Sequence, residues 1–118
     1  MEEANFEEAQ TYQDPYNPSE LEQKHVPIIE ADTNIVKVIV GEEKHVMEAN
    51  HWIQYIELFA DGESIGRIDL SLGEEPEAEF DVDVPNTKRI VAQELCNIHG
   101  LWENELVLND DSKKKGKK

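Results

Sequence analysis

Apolar side chains in this sequence come in short runs set off by Gly, Pro, Asp and Asn. NIVKVIV (34–40) is dense in β-branched residues and stops at Gly41, as a strand packed on a pleated surface would. HWIQYIELFA (51–60) reads as another strand, ended by Asp61-Gly62. With Glu63-Ser64 behind it, that pair suits a hairpin turn into IGRIDL (65–70). In EAEFDVDV (77–84) charged and apolar groups alternate, so Ala78, Phe80, Val82 and Val84 share one face before Pro85-Asn86. RIVAQEL (89–95) and NELVLN (104–109) complete the set, and HVPIIEA (25–31) predicts a shorter strand. No helical stripe interrupts the series. About seven strands with turn signals every ~8–12 residues predict an all-β fold, an antiparallel β-sandwich.

Composition bounds the rest. A chain of 118 residues suits one domain with a modest core. Residues 1–20 are acidic, contain two prolines and lack periodicity, and 112–118 is rich in lysine. The expected organisation is therefore an acidic N-terminal extension (1–20), packed at points by Phe6, Tyr12 and Tyr16, a sandwich domain (21–111) and a basic C-terminal tail (112–118). The net charge is −16, although five of the eleven basic residues fall in the last six positions. Such a surface repels nucleic acid and anionic membrane, and it favours a basic partner or simply solubility. No apolar run approaches the ~20 residues that span a bilayer. The opening Met-Glu-Glu-Ala-Asn is acidic where a secretory signal is basic. A single cysteine allows no internal disulfide. A cytoplasmic location is the expectation.

The candidate chemistry lies in His25, His45, His51, His99 and the lone Cys96, all at expected strand ends or in loops. Taken singly, each histidine is an ordinary solvated side chain and the cysteine a small core residue. Cys96 and His99 share a tight turn with Gly100, which can direct residues three apart toward one centre. Spacing alone leaves both readings open. If the five converge, four imidazoles and a thiolate exceed the closed tetrahedral zinc set. They suit a five-coordinate transition metal with one open position and redox chemistry on a small oxygen species.

QKHVPII (23–29), HVMEANHWIQYIELF (45–59) and above all CNIHGLWENEL (96–106) resemble the superoxide reductase family, in particular its single-centre neelaredoxin class. The resemblance covers roughly 21–109. It implies an immunoglobulin-like sandwich with one exposed mononuclear non-haem iron per chain, cycling between ferrous and ferric. His25, His45, His51 and His99 would be its equatorial ligands and Cys96 its axial thiolate, tuned by the backbone N–H groups of Ile98 and His99. The implied activity is one-electron reduction of superoxide to hydrogen peroxide, an oxidoreductase function in oxidative-stress detoxification. An external donor such as rubredoxin would return the electron. The desulfoferrodoxin branch adds a four-cysteine iron domain, which one cysteine leaves no room for. Lys24 matches the lysine beside the first ligand and would attract the anion. Homotetramers are common in this class, and Ile53 or Leu72 could face a partner sheet.

Two positions depart from the family pattern. Gln23 occupies the slot of a glutamate that ligates the ferric state, and an amide is the poorer ligand. Glu22 is expected to stay out of the site, because neighbours in an extended segment point apart. Val46 replaces a common proline. Two rival readings have different consequences. A cupredoxin-like electron-transfer protein would use two histidines, Cys96 and a weak axial Met such as Met47, leaving two histidines over. A non-enzymatic sandwich interaction module would bind no metal and tolerate loss of Cys96.

Overall fold

A computed structural model describes residues 9–109. The elements are α1 (Glu20–His25), β1 (Pro27–Ala31), β2 (Ile35–Val40), β3 (Ile53–Ala60), β4 (Glu63–Asp69), β5 (Glu77–Asp81), β6 (Arg89–Cys96) and β7 (Gly100–Val107), with a 3-10 turn at Val84–Asn86. All strand pairs are antiparallel. Two sheets form, one in the order β1-β2-β5 and one in the order β4-β3-β6-β7, so the described residues build the expected seven-stranded sandwich.

The core follows from the strand period of two. In β2, Val36, Val38 and Val40 are fully buried while Lys37 and Ile39 are only partly covered. From the facing sheet, Ile56, Leu58, Ile90 and Ala92 close against them, joined by Phe80 from β5. Full burial of each Val, Leu or Ile side chain is worth roughly 1.5–3 kcal/mol, so this layer holds the sheets together. Cys96 belongs to the same cluster at its end. The thiol therefore sits where the core gives way to the connecting loops.

The β3–β4 hairpin turns on Asp61 (φ 50°) and Gly62 (φ 90°). Two positive φ values in a two-residue loop are the geometry for which Asp-Gly is selected. Glu63 and Ser64 already belong to β4. The run 77–84 ends as a strand at Asp81, because Pro85 turns the chain into the 3-10 segment. Val82 nevertheless stays buried and Val84 packs on the core.

The chain before β1 corrects the sequence expectation. His25 does not open a strand; it is the last residue of α1. Ser19 accepts from the Glu22 N–H and Glu22 accepts from the Ser19 N–H, a reciprocal capping box that starts the helix. Ile53 is fully buried and cannot face a partner, whereas Leu72 is exposed. Of the stretch read as an extension, Gln10 lies parallel against Trp102 on β7. Its backbone accepts from the Glu103 N–H at 2.8 Å and donates to Leu101 O at 2.9 Å. Phe6 and the lysine tail (112–118) lie outside the described residues. No helix here is long and apolar enough to cross a membrane.

Candidate metal centre

Three pieces of chain converge at one end of the sandwich. The first is the end of α1 with His25, and the second is the loop 41–52 with His45 and His51. The third is the β6–β7 turn with Cys96 and His99. Gly41 joins the first two. At φ +92°, an added Cβ would lie 2.6 Å from Glu43 O and 2.8 Å from Lys24 O, so only glycine fits. The Glu42 N–H donates to Gln23 O at 2.8 Å and the His45 N–H to Val40 O at 3.0 Å. Asn97 joins the second and third. Its Oδ1 accepts from the Trp52 N–H at 2.9 Å, and its Nδ2 donates to Asn50 O at 3.3 Å.

One donor atom each from His25, His45, His51 and Cys96 lies within 4.8 Å of the others. His99 stands beside this set. Its Nδ1 is 3.8 Å from Cys96 Sγ, and its ring centroid is 4.7 Å from that of His25 and 5.2 Å from that of His51. His25 and His45 are 1% and 6% exposed.

The ring nitrogens test whether a cation fits. His25 Nδ1 donates to Leu21 O at 2.9 Å and His45 Nδ1 to Val46 O at 2.7 Å. With the protons held there, each Nε2 carries a bare lone pair, and these two atoms are 3.1 Å apart. His51 Nε2 is buried without a partner. Facing lone pairs repel one another and a buried acceptor left unpaired is costly, whereas a cation among them satisfies all three at once. Burial also pushes His25 down to a pKa of about 4 and lowers that of His45, which keeps both in the neutral, metal-binding form.

Cys96 is the soft donor. Burial raises its thiol pKa, hydrogen bonds from the backbone N–H groups of His99 and Ile98 lower it, and Glu94 adds to the rise. The His99 N–H reaches Sγ at 3.4 Å. A coordinated cation overrides this balance, since a coordinating thiol is deprotonated outright. Imidazole nitrogens with one thiolate form a donor set that suits iron.

The site opens into a pocket of about 600 Å³ lined by Lys24, Glu43, Lys44 and the histidines, among others. Lys24 is half-exposed, its Nζ 3.5 Å from Glu20 Oε2. Neither Glu22 nor Gln23 lines the pocket. The reason is the helix, not an extended segment. Glu22 Oε1 accepts from the Ser19 N–H and Oε2 from the Gln13 N–H, while Gln23 Nε2 donates to Pro18 O.

Three supporting residues escaped the sequence reading. The Trp102 ring stacks on His25 at 5.1 Å and its Nε1 donates to His99 O. Gln10 Nε2 also donates to His99 O, at 2.9 Å. Glu94, inward-facing on β6 two residues before Cys96, is fully buried with neither carboxylate oxygen partnered. Burial raises its pKa well above the usual range. Trp102 lies within the CNIHGLW stretch, so its position was a signal. Gln10 and Glu94 carry none.

A β-sandwich holding clustered histidines and one cysteine at a solvent-open end defines a class of small metalloproteins. Comparison narrows it. The desulfoferrodoxin family model matches residues 17–105, and this chain belongs to that family. It is 48% identical over 83 residues to the desulfoferrodoxin of Nitratidesulfovibrio vulgaris, covering 70% of this chain but only 63% of that relative. It is 37% identical over 110 residues to the superoxide reductase of Pyrococcus furiosus, covering 73% of this chain and 89% of that one. Among solved structures, the superoxide reductase (1Fe-SOR) from Giardia intestinalis superposes with a TM-score of 0.67 at 33% identity. That match covers 73% of this chain and 99% of the other.

Proposed function

We propose that this chain is a superoxide reductase, converting superoxide, one electron and two protons into hydrogen peroxide. The observation that carries the reading is the set of four donor atoms within 4.8 Å at the base of an open pocket. When bound, iron would supply the electron by passing from ferrous to ferric. The chain's own residues do the rest. His25, His45, His51 and His99 would hold the metal through imidazole nitrogens, with Cys96 as the thiolate. Carbonyl acceptors fix the tautomers of His25 and His45, and Trp102 and Asn97 orient the walls. Lys24, at the mouth, draws in the anion, and solvent in the pocket delivers the protons. A small electron-transfer protein of rubredoxin type would re-reduce the site. A cytoplasmic location and a homotetrameric assembly complete the proposal.

A copper electron-transfer reading has less support. Met47 Sδ accepts from the Ile53 N–H at 3.4 Å and packs on the core, so it offers no axial ligand. The test is metal content and optical spectroscopy of the oxidised protein, with superoxide turnover. The expected result is one iron per chain, a thiolate-to-iron band, and superoxide consumption without dioxygen release. Cys96→Ser should abolish the band and lower turnover by at least tenfold, about 1.4 kcal/mol or more of barrier. Stoichiometric copper, or a variant as active as the parent, would sink the reading.

A further inference from the structure

Resting on that reading, a second question is what holds the β6–β7 turn, and with it His99, in place. β7 begins at Gly100, directly after His99, and stands at an edge of the sheet β4-β3-β6-β7. A bare edge would leave backbone N–H and C=O groups unpaired beside the metal centre. Instead the chain ahead of α1 lies against it as a strap. Gln10 pairs in parallel with Trp102. Its N–H donates to Leu101 O at 2.9 Å, and its carbonyl accepts from the Glu103 N–H at 2.8 Å. Three residues on, the Gln13 N–H donates to Glu22 Oε2 at 3.2 Å, which anchors the other end of the strap on α1.

The Gln10 side chain adds a clasp on the turn itself. Its Nε2 donates to His99 O at 2.9 Å and reaches Leu101 O at 3.4 Å. Trp102 Nε1 donates to the same His99 oxygen at 3.2 Å. A carbonyl oxygen has two lone pairs, and two side-chain donors meet this one. Gly100 makes room for the amide: at φ +92°, an added Cβ would stand 3.2 Å from Gln10 Nε2. The clasped residue also approaches the thiol through two groups. His99 Nδ1 lies 3.8 Å from Cys96 Sγ, and the His99 N–H donates to Sγ at 3.4 Å. Ring, N–H and carbonyl share one Cα, so holding the carbonyl restricts the aim of the other two. Hydrogen bonds to a metal-bound cysteine sulfur tune the potential of such a centre.

We propose that Gln10 is a positioning residue for the metal centre. Its amide, reaching the β6–β7 turn from the N-terminal strap, holds the His99 backbone so that the N–H keeps its bond to the Cys96 sulfur. Loss of the amide lets the turn relax, weakens that bond and leaves the sulfur a stronger electron donor. Stronger donation favours the oxidised ion over the reduced one and raises the filled sulfur orbitals. The midpoint potential therefore falls, and the thiolate-to-iron band moves to lower energy.

The experiment uses the full-length, iron-loaded chain. Gln10→Met keeps the length of the side chain without its N–H groups. Tyr16→Ala is the control, a change in the same N-terminal segment at a side chain 96% exposed. The thiolate-to-iron band, the midpoint potential and the rate of iron release to a chelator are measured for parent and variants. The expected result for Gln10→Met is a band at lower energy, a lower potential and release at least about threefold faster, the scale of one hydrogen bond. Tyr16→Ala should match the parent in all three. A parental band and potential in Gln10→Met overturn the proposal even where iron leaves faster, because a merely structural clasp changes release alone. The same shifts in Tyr16→Ala overturn it as well. A parent that takes up no iron overturns this proposal together with the reading beneath it, whereas a loaded parent with an indifferent Gln10→Met overturns this proposal only.

Discussion

At the scale of single residues, the centre depends on protons held in the right place and on Gly41, where no other side chain fits. Its φ of +92° and the two carbonyl oxygens under 3 Å from an added Cβ tie the loop before His45 to the end of α1. Gly62 has a similar φ, +90°, with nothing within 4 Å. Gly41→Ala should therefore cost strain from both backbone and contact, about 1–3 kcal/mol. Gly62→Ala carries only the left-handed penalty of roughly 1–2 kcal/mol. The decisive difference lies in the metal. Iron bound per folded chain should drop in Gly41→Ala and stay at the parental level in Gly62→Ala, as read by urea unfolding alongside metal analysis. Equal iron retention in both would show that the Gly41 joint does not position the histidines. The donors themselves were legible because the motifs around them are specific. Glu94 was not, since Gln93 and Glu94 lie on opposite faces of β6 and yet both are buried, which strand alternation cannot foresee.

At the scale of elements, the strands were legible wherever β-branched alternation met a strong turn signal, as in NIVKVIV before Gly41 and around Asp61-Gly62. The first functional element was misread. ELEQKH is a helix of 6 residues, too short to show a 3.6-residue stripe, so only its cap betrays it. That cap, Ser19 with Glu22, matches the capping-box pattern. The consequence is chemical. A helix here directs His25 Nδ1 back to Leu21 O, one turn earlier, and turns the Glu22 carboxylate and the Gln23 amide away from the pocket. Ser19→Ala should cost about 0.5–2 kcal/mol at this helix and weaken iron retention against a chelator while leaving the β-sheet signal intact. Glu22→Ala should act in the same direction on stability. It should leave the thiolate-to-iron band where it is, because the lost carboxylate binds backbone N–H groups only. A shifted band in Glu22→Ala would contradict the geometry of α1 described here.

At the scale of the whole molecule, two electrostatic effects compete for an anionic substrate, and their sizes decide the sign of a measurable trend. The chain carries −16 net. A unit negative charge ~20 Å from the centre of that distribution meets roughly 3 kcal/mol of repulsion in unscreened water. A lysine ammonium ~5 Å from the same anion returns only about 1 kcal/mol in water. Global repulsion should therefore dominate approach at low salt. It acts over ~20 Å, inside the Debye length of ~30 Å at 0.01 M but well outside the ~8 Å at 0.15 M. Salt thus removes the repulsion before it removes the pull of Lys24. The second-order rate of superoxide consumption, measured by rapid mixing or pulse generation, should rise over that range. Lys24→Gln should lower the rate severalfold at every ionic strength, in line with a local term near 1 kcal/mol, and leave the upward slope in place. Lys44 is held by Glu75 and Glu77, so Lys44→Gln should change the rate much less. A parental rate that falls with salt would mean that the local field at the pocket mouth, not the net charge, governs capture.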